Sequence, residues 1–319
     1  MHMLCILARY NLSTPTMLRS KPTPIPAIRP VPEYAADDTL SAVYARTMDG
    51  FGVPWMGVVA MAFAHYPHFY KQLWSGFEPV VVSQDFDDAC KELRGVAEAQ
   101  AQLLQPPSVL PHLQALGYSP AELDEVRACN EVFSAGNMAY VLLATRARLL
   151  LEGQDWNTGT GTGTGTGAGA GTGTGAALSL RTSPVTRCAK PILIEQHHAD
   201  PTTRAVYADI RATLGLPFVN TDYRAFARWP SCFNAGWADL RQAAISESYE
   251  PAVKVVHDKA VALASALPNP SGLTVTDLVA AAKRDAPCQE VLEVVKLFQW
   301  LLPGLVVNVA FLRAQLAAV

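Results

Sequence analysis

The chain repeats itself. Residues 43–74 lie over residues 206–237 without a gap, at a constant offset of 163, so that VYARTMDGFGVPW faces VYADIRATLGLPF. Ten of the 32 paired positions are identical, among them Tyr44 and Tyr207, Gly52 and Gly215, Pro54 and Pro217, Phe63 and Phe226, and Trp74 and Trp237. Trp55/Phe218, Tyr66/Trp229 and, further on, Phe86/Tyr249 are conservative pairs. A unit this long and present twice describes a duplicated domain, because a solenoid needs at least three stacked units. The 319 residues leave room for two domains of roughly 150 each.

Each half reads as helices. The pattern predicts a helix over 35–50, ended by Gly50 and Gly52. Gly52-Val53-Pro54 then turns the chain, since a residue before proline is pushed out of the α region. Further helices are predicted over 56–76, with a kink near Pro67, and over 85–104, where Asp85, Asp87 and Asp88 form a charged start. Ser119-Pro120-Ala121-Glu122 is a capping box with proline at the first helical position, and it opens a long helix through Leu123, Phe133, Tyr140 and Leu143. Thr274 and Asp277 mark a similar start. A last, nearly all-apolar helix over 289–316 should be buried, with a kink at Pro303. No period-2 run argues for a sheet, so the expected fold class is all-α.

Between the halves lies a tract in which nine of the 21 glycines fall between Gly159 and Gly175. Its strict glycine period of two, with Thr or Ala between, and no preceding strand, does not fit a dinucleotide-binding fingerprint, and it reads as a flexible linker. The expected organisation is a flexible N-terminus at 1–29, a helical repeat at 30–155, a linker at 156–184 and a second repeat at 185–319.

Composition narrows the function classes. Half the residues are hydrophobic and 17% are charged, which excludes a disordered chain. A net charge of −3 without a dense Lys/Arg run gives no reason to expect nucleic acid as a partner. No membrane is expected either, because the richest apolar stretch, 297–312, is broken by Gln299, Pro303 and Asn308. Six scattered cysteines fit a reduced, cytoplasmic protein. Four basic residues (Arg9, Arg19, Lys21 and Arg29) precede the first acid, Glu33, a pattern that also allows an organelle transit peptide. Prolines from Pro22 to Pro32 favour a merely flexible N-terminus.

The paired positions that differ carry the chemistry. Gly57-Val58-Val59 in the first half becomes Asn220-Thr221-Asp222 in the second. Asp222 stands among Pro217, Phe218, Val219 and Phe226, where burial would raise its pKa toward that of a general base. The competing reading is that Asn220 or Asp222 caps a helix. The long helices align at an offset of 169, which pairs Asn137 with Val306. Asn137 interrupts an apolar face and is either a satisfied buried polar residue or a ligand contact. Arg224 and Arg228 sit four apart beside Asp222, either on a solvated face or with one of them toward a substrate carboxylate. His197-His198-Ala199-Asp200 reads as surface, its histidines pointing apart, and no metal site is expected. No GxSxG, DxDxT or CxxC motif is present.

Thr221-Asp222-Tyr223-Arg224-Ala225-Phe226-Ala227-Arg228-Trp229-Pro230, Gly52-Val53-Pro54-Trp55 and Phe133-Ser134-Ala135-Gly136-Asn137-Met138-Ala139-Tyr140 resemble the group I 2-haloacid dehalogenases, the cofactor-independent DL type. The likeness spans about 30–155 and 185–319. It implies two divergent all-helical repeats forming an intramolecular pseudo-dimer, and a homodimer of such chains. It implies hydrolysis of 2-haloalkanoic acids to 2-hydroxyalkanoic acids with inversion at C2, on both enantiomers, with no cofactor and no ester intermediate. The substrate would be a halogenated short carboxylic acid. The family's catalytic aspartate falls on Asp222 and its catalytic asparagine on Asn137. Its pocket residues fall on Trp55, on Val58 in place of phenylalanine, and on Thr221 in place of serine. The rival expectations are a helical enzyme of the same fold acting on another small carboxylic acid, and a non-enzymatic helical binding or scaffold protein.

Overall fold

The computed structural model describes residues 19–156, 179–181 and 189–317. Residues 1–18 of the expected N-terminal segment, and 157–178 and 182–184 of the expected linker, lie outside the described residues. The described residues are helical, and their one β pairing is an isolated bridge between Ser83 and Leu180.

Three helices of the first half return in the second with their length and spacing kept. The first, α1 (Asp38–Phe51), starts on the Asp37 side chain, which accepts from the Leu40 N–H at 2.8 Å. It ends on Gly52, whose φ of 68° is a left-handed conformation that glycine adopts without strain. The short α2 (Val58–Phe63) and then α3 (Pro67–Val81) follow. The segment expected as one kinked helix over 56–76 is therefore two helices. Pro67 opens the second, and it forces Tyr66 to φ −108°, ψ 81°, outside the helical region.

The second repeat is preceded by helices completing the first half: α4 (Gln84–Leu103), α5 (Leu110–Ala115) and α6 (Pro120–Leu151). Then α7 (Pro201–Leu214), α8 (Thr221–Phe226) and α9 (Pro230–Ala244) each begin and end 163 residues after α1, α2 and α3. The Asp200 side chain starts α7, and Gly215, at φ 64°, ends it. The chain finishes through α10 (Tyr249–Ala266), α11 (Val275–Asp285) and α12 (Cys288–Gln315). Both expected capping boxes are formed, by Ser119 with Glu122 at α6 and by Thr274 with Asp277 at α11.

The long helices α6 and α12 open at Pro120 and Cys288, 168 residues apart. At that spacing Gly136 matches Gly304, and Asn137 matches Leu305, next to the Val306 that an offset of 169 pairs with it. α12 runs unbroken through Pro303. It is long and apolar enough to cross a membrane, but 89% of its most apolar window is buried inside the protein.

One hydrophobic core draws on both halves, with Phe63, Trp74 and Phe133 from the first and Tyr207, Tyr223 and Phe298 from the second. Trp156, placed at the edge of the expected linker, belongs to that core. Its indole N–H donates to the Leu267 carbonyl at 2.8 Å, and Asn269 Nδ2 donates to the Trp156 carbonyl at 3.0 Å. Part of the expected flexible N-terminus is also anchored: Arg19 pairs with Glu250, and Arg19 and Lys21 both lie over the Trp300 ring. The four described cysteines are unpaired.

Candidate active site

Asp222 occupies the second position of α8, where the chain has just turned from an extended Asn220 (φ −61°, ψ 156°) into the helix. Asn220 stands at the N-cap, yet its side chain makes no capping bond. Asp222 is 2% exposed, and its carboxylate accepts a 2.6 Å hydrogen bond from Asn137 Nδ2. The bond joins residues of opposite halves. Burial disfavours the ionised form and pushes the Asp222 carboxyl up from 3.8 to about 6. The Asn137 bond, its own backbone N–H and the charge of Arg224 pull the other way without cancelling that effect.

Asn137 is held in the middle of α6, 4% exposed. Its neighbour Gly136 lets Trp55 lie against the helix, since a Cβ there would come 2.7 Å from the indole and 2.5 Å from Val53. Trp55 packs edge-on to Phe133, ring centroids 4.9 Å apart. One turn after Asn137, the Tyr140 hydroxyl accepts from the Gly57 N–H at 2.8 Å and donates to the Trp55 carbonyl at 3.1 Å. Tyr140 thus fixes the turn that carries Trp55, Gly57 and Val58.

All five expected site residues (Trp55, Val58, Asn137, Thr221 and Asp222) line one small cavity of about 30 Å³, room for roughly one water molecule. Tyr140, Asn220, Gly57 and Val59 join them, and α12 closes the cavity with Phe298, Leu301, Leu302 and Leu305. The sequence reading missed this last wall. Its spacing of i, i+3, i+4 and i+7 is the mark of a single helix face, but in a helix apolar all round that mark does not stand out.

The other expected candidates are engaged elsewhere. Arg224 donates to Glu195 at 2.6 Å and to the Thr221 hydroxyl at 3.3 Å, and Arg228 pairs with Glu125 at 3.0 Å on the surface. The His197 and His198 rings do not point apart, because their centroids lie 4.0 Å from each other. Among the described residues no three or more His, Cys, Asp or Glu side chains gather as a metal site would require. The arrangement is an ionisable carboxylate with a pKa near neutrality, an amide bound to it and apolar walls. It can take a proton from a water and orient that water toward an apolar-bound carbon centre.

The chain is similar to proteins with a shared description. It is 44% identical over 256 residues to an (R)-2-haloacid dehalogenase of Rhizobium sp. (strain NHG3), covering 80% of this chain and 94% of that one. It is 34% identical over 291 residues to an (R)-2-haloacid dehalogenase of Pseudomonas putida, covering 90% and 92%. A solved D-2-haloacid dehalogenase in complex with L-LA superimposes with a TM-score of 0.80 at 32% identity, covering 93% of this chain and 99% of that one. No protein-family model matches the chain.

Proposed function

The chain belongs to the 2-haloacid dehalogenases, and from that membership we propose that it hydrolyses short 2-haloalkanoic acids with Asp222 as the base and Asn137 as the holder of the water. The 2.6 Å contact between these two side chains, inside one apolar pocket, carries the reading. The water oxygen attacks C2 from the side opposite the halogen and forms the new C–O bond. The carbon–halogen bond breaks and the halide leaves with its electron pair. The proton of the water passes to Asp222. Attack from behind inverts C2, and the product is the 2-hydroxy acid.

The pocket supports this chemistry in two ways. A carboxylate with a pKa near 6 is ionised at neutral pH yet basic enough to accept the proton. The Asn137 amide directs one Asp222 oxygen and leaves the other for the water. The relatives at 44% and 34% identity carry names for the (R) acids. We therefore read this chain as preferring the (R) enantiomer, where the resemblance in the sequence implied both.

The pocket also supports a pseudo-dimer. Gly57, Val58 and Val59 line it together with their partners at offset 163, Asn220, Thr221 and Asp222, and Asn137 lines it with Leu305. Matching positions meeting at one cavity support a pseudo-twofold relation between the halves, with a polar side and an apolar side.

Halide release from (R)- and (S)-2-chloropropionate by purified protein tests the activity. Release from the (R) acid is expected, and release from neither would overturn the reading. Asp222→Asn and Asn137→Leu should each lower kcat at least about a hundredfold, the weight of a positioned base or of an oriented water. A single turnover in ¹⁸O-water with excess enzyme should place the label in the hydroxy acid, and label found first in Asp222 would contradict direct attack.

A further inference from the structure

The catalytic pocket contains a carboxylate and no cation, yet its substrate is an anion. The neighbouring cavity supplies what is missing. It measures about 200 Å³ and shares Asn220, Leu301 and Leu305 with the catalytic pocket as common walls. Arg19 lines it, with a side chain only 7% exposed. The guanidinium lies over Trp300, 5.4 Å from the ring centroid, and donates through Nη1 to Glu250. Its Nε–H finds no acceptor among the described residues, and neither does Asn220 Oδ1 find a donor, although Asn220 is 5% exposed.

This cavity arises where the halves part. In the first half the Tyr140 ring fills the space against Gly57, and Trp55 covers Gly136. In the second half Asn308 stands at the position of Tyr140 and Gly304 at that of Gly136. Asn308 is shorter and is drawn aside, donating to the Tyr223 hydroxyl at 2.9 Å and accepting from Tyr249 at 2.8 Å. A Cβ at Gly304 would press on the Tyr249 hydroxyl at 3.3 Å and touch Arg19 Nη2 at an ordinary 3.8 Å, so the guanidinium lies in contact distance of this glycine. Space that one half fills with aromatic rings holds, in the other, a buried cation beside apolar leucines.

We propose that this cavity captures the carboxylate of the short 2-haloacid on Arg19, with the alkyl end against Leu214, Leu216 and Leu305, and feeds it to the catalytic pocket. The inference rests on the dehalogenase reading above. A guanidinium matches a carboxylate in shape and charge, and burial strengthens the pairing. A bare halide would match the charge but leave the apolar walls unused. Glu250 competes for the same guanidinium, being 64% exposed and therefore able to swing away.

Steady-state kinetics on the full chain tests the proposal, with 2-chloropropionate as substrate and propionate or chloride as inhibitor. Arg19→Gln should raise KM and the propionate inhibition constant by about tenfold, with kcat changed less than about twofold, which is the loss of one charge-assisted bond. Glu250→Gln, on an exposed side chain, should lower both constants by about threefold. A folded Arg19→Gln protein with unchanged constants, or with a lower kcat at constant KM, overturns the capture site. So does an increase of KM in Glu250→Gln, whether or not the Arg19 variant folds. Arg19-dependent inhibition by chloride as strong as that by propionate overturns the carboxylate assignment. A wild-type protein that releases no halide would instead remove the dehalogenase reading itself.

Discussion

At the scale of single residues, Asp222 as the proposed base would tie activity and stability to one titration. As a base it works ionised, so kcat/KM should fall about tenfold per pH unit below about pH 6, measured as initial halide release across pH 4.5–8. A flat profile through pH 6 would contradict its role. Stability has the opposite slope. The folded pKa lies above the unfolded value, so the folded state binds the proton more tightly and is favoured below about pH 3.8. That advantage fades as pH rises from 3.8 to about 6, and above it the fold carries a buried charge that costs about 3 kcal/mol. Asp222→Asn should therefore lower kcat at least about a hundredfold and raise stability by up to about 3 kcal/mol at pH 8, with little change near pH 4, as read by denaturant unfolding. These residues were legible in the sequence because the halves differ there: an acid faces Val59, and an amide interrupts an apolar face. Their mutual bond was not legible, since contact between α6 and α8 depends on packing rather than on local pattern.

Elements begin and end where local chemistry dictates, and that part of the fold could be read most directly. Both capping boxes and both left-handed glycine stops carry their residue types in the sequence. Ser119→Ala should lower stability by about 1 kcal/mol in urea unfolding without altering kcat, because it frees one helix-end donor on the surface. The split between α2 and α3 was read as a kink, because hydrophobic periodicity runs on through Pro67 while the backbone does not. The alignment of α6 with α12 is the least constrained, because α12 is apolar on every side and offers no unique register. Close approach between elements is stricter. Gly136→Ala would drive a methyl into Val53 and the Trp55 indole, so the variant should lose about 1–3 kcal/mol and raise KM as Trp55 leaves the pocket wall. Thermal unfolding and KM measured together check this, and an unperturbed KM would show that Trp55 does not shape the site.

For the whole molecule, the core matters more than the connection. Phe63 of α2 packs edge-on to Phe298 of α12, ring centroids 5.8 Å apart, and Phe133 of α6 meets Phe226 of α8 at 6.2 Å. The two halves therefore share one interior instead of owning two. A protease site placed within 157–178 and then cut should leave the fragments together on a sizing column and active, because shared burial and not chain continuity holds them. Fragments that separate in buffer would contradict this. The matched spacing of α1–α3 and α7–α9 was legible from ten identities, but the merging of the two cores was not, since sequence pattern marks a buried face without naming its partner.

Val59 and Asp222 hold matching positions on one cavity, and their inequality has a consequence for how such a site can arise. Two identical half-chains meeting there would be obliged to place the same side chain twice. With aspartate in both places, two carboxylates would face each other in an apolar space, and only one could ionise near neutral pH. With valine in both, there would be no base at all. Joining the copies in one polypeptide lets a mutation strike one side without its echo on the other. Linkage in a single reading frame is thus what allows one partner to become chemistry and its twin to become wall.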